Sequence, residues 1–261
     1  MTLLIDGRAP TSDQLANQAL VNYGAYTSFR VEGGAVRGLD RHLARVDASA
    51  IELFGAPVGE ARLRELMRLA VDGQGDCWLR TSLFSLEISH RSPSWIGAPS
   101  VMTAVFPPPA PLAEGVLVQV QTHVRHAPHL KTTATFDLIR ARRRARAEGF
   151  DDALFADSDG FISEGTLWNL GLLRGDMVVW PDAPMLPGVT QALIEEGLFA
   201  QGLASVREPV HAANLAEFET AFLCNSATPA ASIAAIGDHR FAPAPVDRLR
   251  AAWLAAPPQP L

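Results

Sequence analysis

The sequence predicts a mixed α/β protein of two domains, and three observations lead there. Strand-like stretches turn back on themselves at glycines, amphipathic helical stretches lie between them without regular alternation, and a proline-rich segment breaks both patterns. That segment, "FPPPAPLAEG" at residues 106–115, carries three consecutive prolines at 107–109. Proline fixes φ and has no backbone N–H, so such a run continues neither a helix nor a strand. Residues 107–115 therefore read as a linker between a small α/β domain, 1–106, and a larger domain, 116–261.

Before the linker, "YTSFRVEGGAVRGL" alternates up to Gly33-Gly34 and resumes beyond it, a hairpin signal. "DRHLARVDASAIELFG" reads as a helix. Asp40 is the expected cap, Leu43, Val46, Ala50 and Leu53 recur at helical spacing, and Gly55 is the stop. "EARLRELMRLAV" predicts a second amphipathic helix, and "CWLRTSLFSLEIS" and "SVMTAVF" predict strands.

After the linker, "GVLVQVQTHV" predicts a strand and "FDLIRARRRARAEGF" a helix ended by Gly149. "DALFAD" and "FISEG" predict a hairpin around Ser158-Asp159-Gly160, and "LWNLGLLRGDMVVW" another turning at Arg174-Gly175-Asp176. "PGVTQALIEEGLFAQG" begins with proline and glycine and continues as a helix, whereas the closing "AAPPQPL" predicts a frayed tail.

Composition narrows the function classes. With 261 residues, 48% hydrophobic and 19% charged, the chain can build substantial cores. A net charge of -6 gives no electrostatic reason to expect nucleic acid or an anionic membrane as partner. No apolar run approaches the roughly 18 residues that span a bilayer, and "MTLLIDGRAP" lacks the features of a secretory signal. The expected location is cytoplasmic. Cys77 and Cys224 lie far apart and form no metal-ligand pattern. His123, His126 and His129 alternate faces on a strand and have no acidic or thiol companion, so no metal site is expected. The arginines of "RARRRARAEG" spread around a helix and read as a solvated face, and "GFISEG" misses the Gly-x-Ser-x-Gly spacing of a nucleophile elbow.

One residue stands apart from its background. Of the 22 basic residues only Lys131, in "HLKTTATFDL", is a lysine. Arginine supplies charge and ion pairs equally well, but it does not lose its proton and attack a carbonyl. Gly188-Val189-Thr190 opens a helix and so offers free N–H groups to an anion. Glu164 follows a short strand in "ISEGTLWN", and Arg45 lies one turn after Arg41.

Taken in order, these features resemble the fold-type IV pyridoxal phosphate enzymes: branched-chain and D-amino acid aminotransferases and aminodeoxychorismate lyase. The resemblance runs from about Tyr23 to about Ser226 and is most specific from "LKTTATFDL" to "LPGVT". It implies that Lys131 holds pyridoxal 5'-phosphate as an imine and then acts as base at the substrate α-carbon. It implies that Glu164 contacts the pyridine nitrogen, that Leu186 packs on the ring, and that Asn169 accompanies the glutamate. Arg45, Val189, Thr190 and Ser226 are implied as the phosphate cup. The implied fold sets the cofactor in the cleft between two domains, in a homodimer.

Departures from the family pattern bear on the substrate. A tyrosine is common five residues after the lysine, where this chain has Phe136, and Gln191 replaces a usual arginine after "GVT". Tyr26-Thr27 is closer to the lyases than the tyrosine–glutamate of many aminotransferases. With Arg30 and Arg91, Tyr26 and Thr27 are the substrate candidates. The leading expectation is an aminotransferase acting on an amino donor and a keto acceptor. A lyase releasing pyruvate from 4-amino-4-deoxychorismate is the alternative, and a degenerate homologue acting as a binding module is a third.

Overall fold

The computed structural model describes residues 2–261. Two compact units make up the chain: Met1–Pro109 with Leu130–Ala134 and Pro257–Leu261, and Ala110–His129 with Thr135–Ala256.

The first unit runs β1 (Thr2–Ile5), α1 (Ser12–Leu20), β2 (Ala25–Val31), β3 (Ala35–Arg37), α2 (Leu39–Phe54), α3 (Glu60–Val71), β4 (Cys77–Phe84) and β5 (Ser100–Phe106). Its antiparallel sheet has the order β1-β5-β4-β2. Gly33 and Gly34, with φ of 56° and 75°, make the two-residue turn between β2 and β3. Leu43, Val46 and Ala50 of α2 and Leu63, Leu66 and Met67 of α3 share a core with Phe29, Val31, Leu79 and Val105 of the sheet. Because strand side chains alternate, burying Phe29 and Val31 turns Thr27 toward the helices too. Tyr26, Ser28 and Arg30 then take the opposite face. Their cross-strand partners, Ser82, Arg80 and Trp78, share it.

The second unit runs β6 (Val116–Thr122), α4 (Phe136–Ala147), β7 (Asp152–Ala156), β8 (Ile162–Gly165), β9 (Asn169–Arg174), β10 (Met177–Pro181), α5 (Val189–Gly197), β11 (Ala204–Glu208), β12 (Thr220–Cys224), β13 (Ala231–Ile236), β14 (His239–Arg240) and α6 (Val246–Leu254). The sheet order is β11-β10-β9-β12-β13-β6-β7-β8, with β14 beside β13. A further pairing of β8 with β9, through Glu164 and Asn169, closes six of these strands into a ring. The ring interior is packed with Val118, Leu154, Ile162, Leu170, Leu172, Leu223 and Ile233. Two residues singled out by sequence thus form the bridge that shuts a barrel.

Four local expectations differ from the structure. Asp40 is not the cap of α2: Gly38, left-handed at φ 66°, precedes the helix, and the Asp40 N–H donates to Gln259 Oε1 at 2.9 Å. The helix from Val189 stops at Gly197, where a Cβ would meet the Ala252 backbone, and a short 3-10 turn follows at Phe199–Gln201. The strand from Cys77 ends at Phe84, short of Ser89. The closing residues are not frayed, since β15 (Pro258–Pro260) pairs antiparallel with β3 and Leu261 is buried in the first core. Their carbonyls make this possible: proline cannot donate, but Pro260 O accepts from Arg64 at 2.8 Å and Leu261 O from Arg68 at 2.6 Å.

Candidate active site

In the first unit, Lys131 is sewn beside the start of β2. Its carbonyl accepts from Tyr26 N at 2.8 Å, Thr132 bridges Ala25, and Thr133 N donates to Gly24 O at 2.9 Å. A Cβ at Gly24 would run into the Leu83 carbonyl, so only glycine lets the two backbones approach here. Lys131 Nζ lies 5.0 Å from the Tyr26 ring centroid, and Arg80 Cζ lies 3.7 Å from the same centroid. The Arg80 Nε donates to Ser82 Oγ at 3.2 Å. No carboxylate of the described residues pairs with Arg80, and burial lowers its pKa. A partly buried guanidinium of this kind is suited to an anion from outside the chain.

On the other face of β2, Thr27 is fully buried against α2. Arg45 Nη2 donates to Thr27 Oγ1 at 3.0 Å, and that hydroxyl lies 2.7 Å from His42 Nδ1. Burial lowers the Arg45 pKa to about 10, with the nearby Tyr26 opposing the shift. Even so, the guanidinium keeps its charge at neutral pH.

In the second unit the candidates form one hydrogen-bonded group. Arg125 Nη1 and the Leu186 N–H both donate to Glu164 Oε1, at 2.9 and 3.1 Å. Asn169 Nδ2 donates to Leu186 O at 3.0 Å, so the Leu186 backbone is held at both its N–H and its C=O. Two residues on, Gly188 packs so closely on Asn169 that a Cβ there would overlap the amide oxygen. Gly188 precedes α5, whose start has no side-chain cap and whose first residues, Val189 and Thr190, are buried.

The loop joining Glu164 to Asn169 is pinned from beneath. Buried Asp152 accepts from Thr166 Oγ1 at 2.7 Å and from Trp168 Nε1 at 3.2 Å. Cys224 pairs with Asn169, which sets Ser226 just past the end of β12. The turn holding Ser226 is ordered by Asn225 Oδ1, which accepts from Ala227 N at 2.9 Å and Thr228 N at 2.8 Å. Asn225 Nδ2 reaches across to Leu167 O at 3.2 Å, tying that turn to the Glu164 loop.

The structure therefore gathers Glu164, Asn169, Leu186, Val189, Thr190 and Ser226 in one unit, and Tyr26, Thr27, Arg30, Arg45 and Lys131 in the other. Arg30 shares the Tyr26 face and makes contacts to Pro109 O at 3.1 Å and Glu32 at 3.7 Å. Arg91 is exposed on the 85–99 loop, with no hydrogen bond or ion pair to another candidate among the described residues. Sequence reading missed three participants: Arg80, His42 and Arg125. Two-residue spacing from Ser82 along β4 was the available signal for Arg80, and three-residue spacing from Arg45 along α2 for His42. Arg125 lies in "HVRHAPH", a stretch read for its histidines.

Comparison with known proteins bears on the family and the fold. The sequence model of one family, described as Amino-transferase class IV, matches residues 24–236. The branched-chain-amino-acid aminotransferase-like protein 2 of Arabidopsis thaliana is 28% identical over 211 residues, 75% of this chain and 37% of that protein. The chain therefore spans well under half the length of that relative. A putative branched-chain-amino-acid aminotransferase of Methanocaldococcus jannaschii is 23% identical over 216 residues, 78% of this chain and 75% of its own length. Among solved structures, the branched-chain aminotransferase of Thermoproteus uzoniensis with norvaline superposes with a TM-score of 0.85 at 20% identity, covering 100% of this chain and 99% of that one. A hypothetical aminotransferase from Mycobacterium tuberculosis in its PLP-bound form gives 0.79 at 19% identity, covering 98% and 99%. At these identities the structural likeness speaks for the fold. The family match spans well over half the sequence and reaches from the start of β2, which bears Tyr26, past Ser226, so this chain belongs to the class IV aminotransferases.

Proposed function

We propose that the chain transfers an amino group between an amino acid and a keto acid, using pyridoxal 5'-phosphate held by Lys131. Family membership supports the reaction class. The observation that carries the residue assignment is the joint hold of Glu164 and Asn169 on the Leu186 N–H and C=O, beside the uncapped start of α5. The donor set fits this cofactor. It contains one primary amine, one buried carboxylate, a helix N-terminus for a phosphate and an arginine that stays charged. Gly188 adds to the fit, because a side chain there would displace Asn169.

When bound, the cofactor supplies a carbonyl that accepts the amino group and a ring that takes up electrons. Lys131 is the side chain able to bond to that carbonyl, and its amine can take a proton from the substrate α-carbon and return it. Glu164 supplies an anion for the ring nitrogen, and Arg125 and the Leu186 N–H orient it. Arg45, Val189, Thr190 and Ser226 bind the phosphate, with the partial positive charge of the α5 N-terminus assisting. Leu186 flanks the ring.

The substrate carboxylate is assigned to the Tyr26–Arg30 face of the first sheet, with Arg80 as the principal cation. The same reading includes a homodimer and a cytoplasmic location. No helix among the described residues is long and apolar enough to cross a membrane. The lyase alternative is separated by product: a transaminase needs a keto acceptor, whereas a lyase releases pyruvate from one substrate. The test is to record the visible spectrum of the purified protein, reduce it with borohydride and map the label by mass spectrometry. A pyridoxyl label on Lys131 is expected; a colourless, unlabelled protein sinks the reading. Light scattering checks the dimer.

A further inference from the structure

We propose that His42 is a positioning residue for Arg45, acting as a hydrogen-bond acceptor through the hydroxyl of Thr27. This rests on the reading of Arg45 as a phosphate ligand. The direction of each bond follows from what the groups can offer. A guanidinium only donates, so Thr27 Oγ1 accepts from Arg45 Nη2 at 3.0 Å. The hydroxyl has one proton of its own, and its other partner is His42 Nδ1, at 2.7 Å. Thr27 is 0% exposed, so no water is at hand for that proton. If Nδ1 carried a proton, the hydroxyl would accept twice and its own proton would have no acceptor among the described residues, an uncompensated cost in a buried site.

His42 is therefore neutral, protonated on Nε2, and accepts at Nδ1. Three further observations agree. His42 is 1% exposed, its ring packs 4.7 Å from the Phe29 ring, and burial together with the charges of Arg45 and Lys131 disfavours the imidazolium. His42 and Arg45 are three residues apart on α2, so both meet the single hydroxyl that β2 turns toward the helix. The acceptor at Nδ1 fixes the hydroxyl rotor, and the fixed rotor aims a lone pair at Nη2. The guanidinium is thereby held in one orientation before any phosphate arrives, which is how a preorganised anion site differs from a mobile surface arginine.

The test compares apo-protein variants for binding of pyridoxal phosphate and of pyridoxal, which lacks the phosphate. His42→Leu and Thr27→Val are each expected to weaken pyridoxal phosphate binding by about tenfold while leaving pyridoxal binding unchanged. The double variant should lose no more than either single one, because both cut the same relay. His42→Asn, whose amide oxygen can stand near the Nδ1 position, should recover most of the loss. Equal losses for the two ligands would mark a merely structural residue and overturn the proposal. Long-range 1H–15N NMR of the apo-protein supplies a readout independent of binding. It should show a neutral histidine with unprotonated Nδ1 whose signals disappear in His42→Asn; an imidazolium or the other tautomer at that residue overturns the proposal. Arg45→Gln serves as the control. If it leaves the preference for pyridoxal phosphate over pyridoxal intact, the phosphate reading fails and the proposed purpose of the relay fails with it. If Arg45→Gln abolishes that preference while His42→Leu does not alter it, the relay alone is wrong.

Discussion

Arg125 Nη1 lies 2.9 Å from Glu164 Oε1, and these side chains are only 12% and 6% exposed. The pair joins residues 39 apart in sequence and holds a carboxylate in a place where an uncompensated charge would be costly. Arg125→Met removes that cation and is expected to destabilise the fold by about 3 kcal/mol. It should also weaken cofactor binding. Arg125→Lys should recover only part of either, since an ammonium lacks the planar fork. Urea denaturation and fluorescence titration with pyridoxal phosphate check both.

Lys131→Arg keeps the charge near Tyr26 but removes the amine. The variant should fold, bind pyridoxal phosphate reversibly, take no borohydride label and lose amino transfer by at least about a thousandfold. Retained labelling at another site would end the assignment.

Arg80 Cζ lies 3.7 Å from the Tyr26 ring centroid, with no carboxylate of the described residues beside it. Arg80→Met should raise the KM for a keto acid by roughly tenfold or more, because a charge-assisted hydrogen bond is lost. Cofactor affinity should not change. Steady-state kinetics across several keto acids would show whether the effect follows the carboxylate.

Gly188→Ala forces a Cβ into the Asn169 amide. Relief requires Asn169 to release the Leu186 carbonyl, so a loss of about 1–3 kcal/mol in stability is expected. Weaker pyridoxal phosphate binding should accompany it. Calorimetry of apo- and holo-protein separates the two effects.

His42 has its pKa lowered well below 6.5 by burial, then by Arg45 and Lys131. The folded state then keeps it neutral at pH values where the unfolded chain binds a proton. Its contribution to stability is full above pH 6.5 and is lost as the pH falls below that value, with a limiting slope of about 1.4 kcal/mol per pH unit. His42→Asn should remove this segment of the profile. Unfolding free energies of the two proteins between pH 5 and 8 test it, and parallel curves would refute it.

Local chemistry made much of this protein readable before its fold. Gly33-Gly34 and Arg174-Gly175-Asp176 marked turns because positive φ is a property of the chain itself. The helices starting at Glu60 and Phe136 and the strand from Ser100 to Phe106 appeared through their apolar periodicity or residue preferences. Where a long-range contact competed, local reading failed. Gln259 takes the N–H of Asp40, and a proline-rich end becomes a strand because β3 offers it a partner.

The sequence by itself determined which residue types stand where: a single lysine at Lys131, a carboxylate at Glu164 and a glycine-led helix start at Val189. Residue type and close spacing carry that information. Only the tertiary structure decided which partners control them. Arg125 reaches Glu164, Arg80 joins the face of Tyr26, and His42 meets Arg45 through Thr27 because strand register and helix phase bring them together. Register is a relation between segments distant in sequence, and shifting a strand by one residue would turn side chains such as Thr27 on β2 or Arg80 on β4 to the other face of the sheet.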